Sequence, residues 1–221
     1  MCWSATADLV AGTAVTGVGV ACVARARGGR DLPLAALPLL LGVHQIVEAV
    51  VWESGGGRGP ATMVWAVIAL PLLAVWVPAG VLCVAPPHAR RRLVLPLAVG
   101  AATAAVLAYG LVTAPVTAEI REHTVRYGFG LSHAALLVAG YLLATVGSLL
   151  LSGDRRLLML GVLAALGAFV CWALWRLEFV STWCAYAAVC SVVLFRWVRA
   201  RPDPGRTAPD PAARTPGRRT G

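Results

Sequence analysis

Seven apolar runs, each roughly the twenty residues that a membrane-crossing helix needs, occupy 4–24, 32–52, 61–84, 93–114, 131–151, 157–175 and 179–198. In lipid every backbone N–H and C=O must be satisfied inside the protein, which leaves helices or closed barrels as spanning structures. The spacing predicts an all-α polytopic bundle of seven transmembrane helices over 1–201, with a disordered tail over 202–221. That tail is rich in Pro, Arg and Gly and nearly devoid of apolar residues, so it has no core to bury. Only 13% of the chain is charged and 59% is hydrophobic, too few charges for the solvated surface of a soluble domain.

The formal charge of +9 comes entirely from arginine, since the sequence contains no lysine. The arginines sit in short clusters between the apolar runs. A nucleic-acid-binding protein would instead carry a basic face with interleaved aromatics on a soluble scaffold, so no nucleic-acid partner is expected. The clusters alternate. Arg25, Arg27 and Arg30 lie in the first connection, Arg90, Arg91 and Arg92 in the third, Arg155 and Arg156 in the fifth, and Arg196, Arg199 and Arg201 after the last run. The even connections mix signs: Glu53 with Arg58; Glu119, Arg121, Glu122 and Arg126; Arg176 with Glu178. Arginine-rich loops stay on the cytoplasmic side. The expected topology is a multi-pass protein of the cell membrane, its N-terminus outside and its C-terminus cytoplasmic. The first basic residues follow the first apolar run, so that run reads as a retained helix and not as a cleaved signal.

Pro71 and Pro78 predict kinks in the third run. Gly12, Gly17 and Gly19 in the first run, and Gly161 and Gly167 in the sixth, predict close helix contacts. The six cysteines show no CxxC and no metal-ligand spacing, and in helices cysteine is most often a small buried hydrophobe. Cys2, Cys171 and Cys184 fall at the outer side, where one disulfide is open to them.

An ionisable side chain at the centre of a spanning helix costs ~2.5–3.5 kcal/mol on insertion scales, so each one needs a reason. His44, Glu48 and Trp52 recur at i, i+4 and i+8, along one helical face, with Gln45 beside them. A packing role, with Glu48 paired to His44 or an arginine, competes here with a functional one. On the expected topology the other deep polar residues gather at the same outer end: Asp8 on the first helix, His133 at the start of the fifth, and Glu178 with Arg176 between the sixth and seventh. Trp3, Trp52, Trp65, Trp172, Trp175 and Trp183 also map there. An interfacial belt explains single tryptophans; as a group they suit the wall of a cavity for an apolar ligand or a cation.

Two carboxyls with an aromatic wall suit one chemistry in particular. A carboxyl group kept from water favours its neutral form and can act as a general acid toward an epoxide or alkene. Tryptophan faces stabilise the resulting carbocations, and exclusion of water prevents premature quenching. These parts describe a protonation-initiated terpene cyclase. Glu48, Glu178 and His44 are its expected catalytic residues, and Asp8, Gln45, Trp52, His133, Trp172, Trp175 and Trp183 its expected substrate contacts. No metal or cofactor is expected: the chain has no paired histidines for zinc and no aspartate-rich motif for a diphosphate-bound metal.

The stretches Met1-Cys2-Trp3-Ser4-Ala5, His44-Gln45-x-x-Glu48-x-x-x-Trp52 and Ser181-Thr182-Trp183-Cys184-Ala185 resemble a family of small bacterial seven-helix membrane proteins, over residues 1–198. The architecture is similar to that of membrane-bound terpene cyclases of indole-sesquiterpenoid, drimane and fungal meroterpenoid pathways. That resemblance implies two acids, one early and one near the last helix, which fall on Glu48 and Glu178; the fungal proteins have an aspartate where this chain has Glu178. Two other readings stay open. One is a non-enzymatic membrane protein that binds or carries a small hydrophobic ligand. The other is a b-type haem protein with His44 and His133 as axial ligands.

Overall fold

The computed structural model describes residues 4–121, 124–130, 133–174 and 179–200. The expected tail at 202–221 lies outside them. The described chain is mostly helical, in seven rods: α1 (Ala5–Ala24), α2 (Leu32–Glu53), α3 (Pro60–Val84), α4 (Pro87–Thr113), α5 (Ala134–Leu150), α6 (Arg155–Leu174) and α7 (Phe179–Arg199). α1, α2, α3, α4 and α6 are long and apolar enough to cross a membrane, and α5 is a shorter apolar helix. Their outward faces carry exposed apolar side chains such as Val112, Leu136 and Phe169.

Two features depart from the all-α expectation. Between α4 and α5 the chain forms an antiparallel hairpin, β1 (Thr117–Arg121) and β2 (Thr124–Gly128), with Glu119 opposite Arg126. The hairpin carries the chain past Gly128, so α5 begins at Ala134 and not near 131. In addition, Arg90, Arg91 and Arg92 do not form a loop. Pro87 opens α4, and the three arginines lie in its first turns; proline is tolerated there because the first helical N–H groups have no intrahelical partner.

Helix interruptions follow from proline and from polar side chains. Ala36 breaks α2 into Leu32–Ala35 and Leu37–Glu53, two residues before Pro38, whose nitrogen cannot donate. Pro71 sits inside a π-helical stretch at Ile68–Leu72 in α3. A second π stretch at Leu143–Gly147 interrupts α5, where Thr145 bonds back to the Tyr141 carbonyl at 2.8 Å. Such bulges occur disproportionately at functional sites. Tyr141, two residues before the second stretch, reaches the first: its hydroxyl donates to the Ala69 carbonyl at 2.6 Å. Gly100 of α4 lies where they meet, and a Cβ there would strike the Ala74 carbonyl and the Ala144 side chain.

α1 and α2 pack closely along glycine. A Cβ on Gly12 would lie 2.9 Å from the Gly42 carbonyl, and one on Gly42 would strike Thr16. Close backbone approach of this kind gains dispersion contacts between the helices. Gly19 approaches the Leu39 backbone in the same way. This antiparallel pair sets the start of α1 beside the end of α2.

The arginine-bearing connections converge on the opposite end of the bundle. Arg30 Nε donates to the Cys83 carbonyl at 3.1 Å, and Arg25 and Arg199 both lie over the Phe195 ring, 5.5 and 5.8 Å from its centre. Asp154 caps α6 by accepting from the Arg156 and Leu157 amides. Its other oxygen accepts from Trp197 Nε1 at 3.0 Å, tying α6 to α7.

Candidate functional site

At the end away from the arginine-rich connections, the α1–α2 contact carries two carboxyls inward. Asp8 and Glu48 are both fully buried and close enough to interact electrostatically. Asp8 lies one turn into α1, which Ser4 caps by accepting the Ala7 amide at 3.2 Å. Its Oδ2 accepts from Trp52 Nε1 at 2.9 Å. Glu48 Oε1 lies 3.5 Å from the Tyr127 hydroxyl, which donates to it from β2.

One turn along α2 are His44 and Gln45, 0% and 1% exposed. Trp65 of α3 is also fully buried, its ring 4.9 Å from that of His44. On its other side Trp65 stacks on Tyr127, with centroids 3.5 Å apart and planes 5° from parallel. The aromatic wall over the acids is therefore Trp65 and Tyr127.

The hairpin closes this end. Three glycines with positive φ, Gly55, Gly56 and Gly57, follow α2; an L-residue is strained in that region. They let Gly57 bond the hairpin backbone, donating to Ala118 O at 2.7 Å and accepting from Ala118 N at 3.0 Å. The inward-facing Ala118, Val125 and Tyr127 are buried, and Val125 has no exposed surface.

Several polar atoms in the cluster have no hydrogen-bond partner among the described residues: Asp8 Oδ1, both ring nitrogens of His44, both amide atoms of Gln45, and Trp65 Nε1. Buried polar groups are normally satisfied, and each exception calls for an explanation. Further along the same face of α2, Leu37 and Leu41 line an apolar cavity with Leu73, Val77, Tyr141 and Trp183. Tyr141 packs edge-on to Trp183 at 5.8 Å, and Trp183 Nε1 is held by the Ala164 carbonyl at 3.2 Å. Asp8, His44, Gln45 and Glu48 thus form a polar head at the hairpin end, and the apolar cavity, a shaft further along α2, is lined by other residues.

The structure gathers Asp8, His44, Gln45, Glu48 and Trp52 in the head, and sets Trp183 on the shaft. It does not bring in Trp172 or His133. Trp172 is 49% exposed beside Phe169 on an outward groove between α5 and α6. His133 is exposed at the left-handed turn that opens α5, so His44 and His133 do not form an axial pair. Glu178, Trp175, Arg176, Trp3 and Cys2 lie outside the described residues. Cys171 is a free, buried thiol. Among the described residues no three His, Cys, Asp or Glu side chains are grouped to hold a metal ion.

Tyr127 is the residue that a helix-based reading passes over as a site member, and Trp65 enters that reading only as one of six outer tryptophans. A signal for Tyr127 was present in the alternation Val125-Arg126-Tyr127-Gly128-Phe129, which has the period of a half-buried strand. No curated protein and no solved structure matches the chain. A family model does match, over residues 1–209, and the chain belongs to that family, described as a family of unknown function (DUF6629).

Proposed function

We propose that the chain spans the cell membrane seven times, with the hairpin end outside and the arginine end cytoplasmic, and that it is a protonation-initiated terpene cyclase. The observation that carries the reading is the buried Asp8–Glu48 pair, with the stacked Trp65 and Tyr127 beside it and an apolar cavity further along α2. The convergence of every described arginine-rich connection on one end supports the orientation.

In this mechanism Glu48 transfers its proton to the epoxide oxygen, or to the terminal alkene carbon, of a prenyl chain lying in the shaft. The C–O bond or π bond breaks, a neighbouring alkene supplies the electron pair for the new C–C bond, and the ring closes. The final cation loses a proton to His44, one turn from Glu48 on α2, and that proton returns to the carboxylate. The net change is an isomerisation. Trp65 and Tyr127 offer their ring faces to the cation. Asp8 is the described carboxyl beside Glu48; Glu178, which the family resemblance implies as second acid, keeps that role as part of the proposal.

The test is expression in a host supplied with farnesyl- and epoxyfarnesyl-bearing substrates, followed by a search for cyclised product. Wild-type chain should form product, and Glu48→Gln should lower it by about a hundredfold or more, the usual share of a general acid. Product at wild-type level from Glu48→Gln would overturn the assignment. A carrier for a small hydrophobic ligand uses the same apolar shaft; ligand bound with no product from any substrate would favour it.

A further inference from the structure

The apolar shaft is small as it stands, about 70 Å³, room for about five waters at roughly 10–15 Å³ each. The groove between α5 and α6 is far larger, about 570 Å³, and opens on the outward face of the bundle. One residue belongs to both walls, Val146. It is 7% exposed and packs with Ala164, Ala168 and Trp183. The partition between groove and shaft is thus one valine set against alanines of α6, each a single methyl.

The groove follows from how α5 leans. None of Ala134–Leu142 is buried, and this stretch packs on α4, where a Cβ on Gly140 would strike the Thr103 hydroxyl. Beyond the π stretch the same rod turns to α6. Leu149 is buried there, and a Cβ on Gly161 would lie 3.1 Å from the Leu150 amide nitrogen. α5 and α6 therefore meet at the arginine end and part toward the hairpin end. Val146 sits at the apex of this wedge, within the π stretch Leu143–Gly147, an element found disproportionately at functional sites. Phe169 and Trp172, both exposed, edge the wide part.

We propose that the wedge is a lateral portal: an apolar chain dissolved in the bilayer enters between α5 and α6 and reaches the shaft by displacing Val146. The proposal rests on the membrane-spanning reading and on the shaft taking up an apolar ligand, and it is the same for a cyclase and for a carrier. The groove is lined by aliphatic and aromatic side chains, so a chain slides along it without stripping water from polar groups. Entry at the hairpin end would instead lead past Asp8, His44, Gln45 and Glu48, all buried. Opening at Val146 also joins the groove to the shaft and gives the ligand more room than the shaft alone has.

Cys190 reports arrival, because it is a free thiol that lines the shaft. Full-length protein in phosphatidylcholine vesicles is treated with N-dodecylmaleimide, and modification of Cys190 is followed by mass spectrometry. A thiol placed in the groove, Leu143→Cys, gives the reference rate, and thermal unfolding checks that each variant is folded. Val146→Ala should speed Cys190 modification by about three- to tenfold, and Val146→Phe should slow it by about tenfold, with the reference rate unchanged. One Cys190 rate in wild type and Val146→Ala would overturn the portal and leave the shaft as a ligand site, whether or not Val146→Phe folds. Faster reaction with a water-soluble maleimide than with the dodecyl one would put the entrance at an aqueous end and overturn it too. No modification of Cys190 in any folded variant, although the unfolded chain reacts, would overturn both portal and shaft. A rate that depends on residue 146, with no cyclised product from any substrate, supports the portal and sinks the cyclase.

Discussion

Trp52 Nε1 donates to Asp8 Oδ2 across 2.9 Å, joining the first turns of α1 to the last turn of α2. The bond satisfies one oxygen of a fully buried carboxyl and leaves the other with no partner among the described residues. It also fixes how far α1 can slide on α2, because Trp52 is four residues beyond Glu48 on the same face. The position of Asp8 against Glu48 thus depends on an indole that needs no contact with a substrate.

Trp52→Phe keeps most of the ring's packing and removes the donor. Leaving a buried acceptor unsatisfied costs about 1–3 kcal/mol, so the variant should unfold in detergent at a lower temperature than wild type. Trp52→His, which restores an N–H, should recover part of the loss. A thermal unfolding series on the three proteins measures this; equal midpoints for Phe and wild type would remove Trp52 from its positioning role.

Tyr127→Phe should preserve the fold, because the Trp65 stack depends on the ring and not on the hydroxyl. The lost atom is the one donating to Glu48 Oε1 at 3.5 Å, a long bond of modest strength. Under the cyclase reading product formation should fall by about three- to tenfold, the range of a weak hydrogen bond worth about 1 kcal/mol. Tyr127→Ala should fall much further, since it also strips the face that meets the cation. The ratio of the two variants' product yields separates the hydroxyl from the ring.

The helical frame was legible because apolar runs of about the length of a membrane span, punctuated by arginine, leave helix as the simplest way to satisfy their backbone. Positions such as His44, Glu48 and Trp52 could be placed on one face from helical periodicity alone. Periodicity within one helix gives no information on which partner helix that face meets. The Asp8–Glu48 juxtaposition depends on Gly12, Gly19 and Gly42 setting the register of α1 on α2, and Trp65 reaches the site from a third helix. Tyr127 lies on a strand inside a loop whose mixed charges drew attention to Glu119 and Arg126, both on the hairpin's outer face. Trp172 looks equivalent to Trp183 by helix end and type. The turn of α6 that carries it presents it outward instead.

Gln45→Leu should stabilise the ligand-free protein. Both amide atoms are buried without partners, and removing such a group relieves a penalty of about 1–3 kcal/mol. For a chain of this length that corresponds to a rise in unfolding midpoint of roughly 2–4 °C per kcal/mol. A fall in midpoint would show that the amide is satisfied in the folded protein. A rise would show that the amide is kept at the expense of stability.

Orientation can be read from the two ends independently. With the native cysteines replaced, Arg58→Cys at the hairpin end should react with a membrane-impermeant maleimide on intact cells. Arg91→Cys at the arginine end should react only after the membrane is opened. The reverse pattern would invert the topology and put the acid cluster on the cytoplasmic side.

The register of α1 on α2 can be tested with two glycines of the same rods. A Cβ at Gly42 would fall on the Thr16 amide and hydroxyl and lie 2.9 Å from the Gly12 carbonyl. Two of these three neighbours are backbone atoms that no rotamer change can move. Gly42→Ala must therefore push the helices apart, at a cost near the upper end of the usual overpacking range of about 1–3 kcal/mol. Gly17, on α1, has open space where its Cβ would be, so Gly17→Ala should be neutral or gain up to about 1 kcal/mol from helix propensity. A change in propensity alone would favour both substitutions equally, so only close packing predicts opposite signs. Because the Trp52–Asp8 bond spans the same pair of helices, under the cyclase reading Gly42→Ala should also lower product formation although it lies away from the acids. Parallel behaviour of the two variants in thermal unfolding would mean that glycine does not set the register, and the proximity of Asp8 to Glu48 would need another cause.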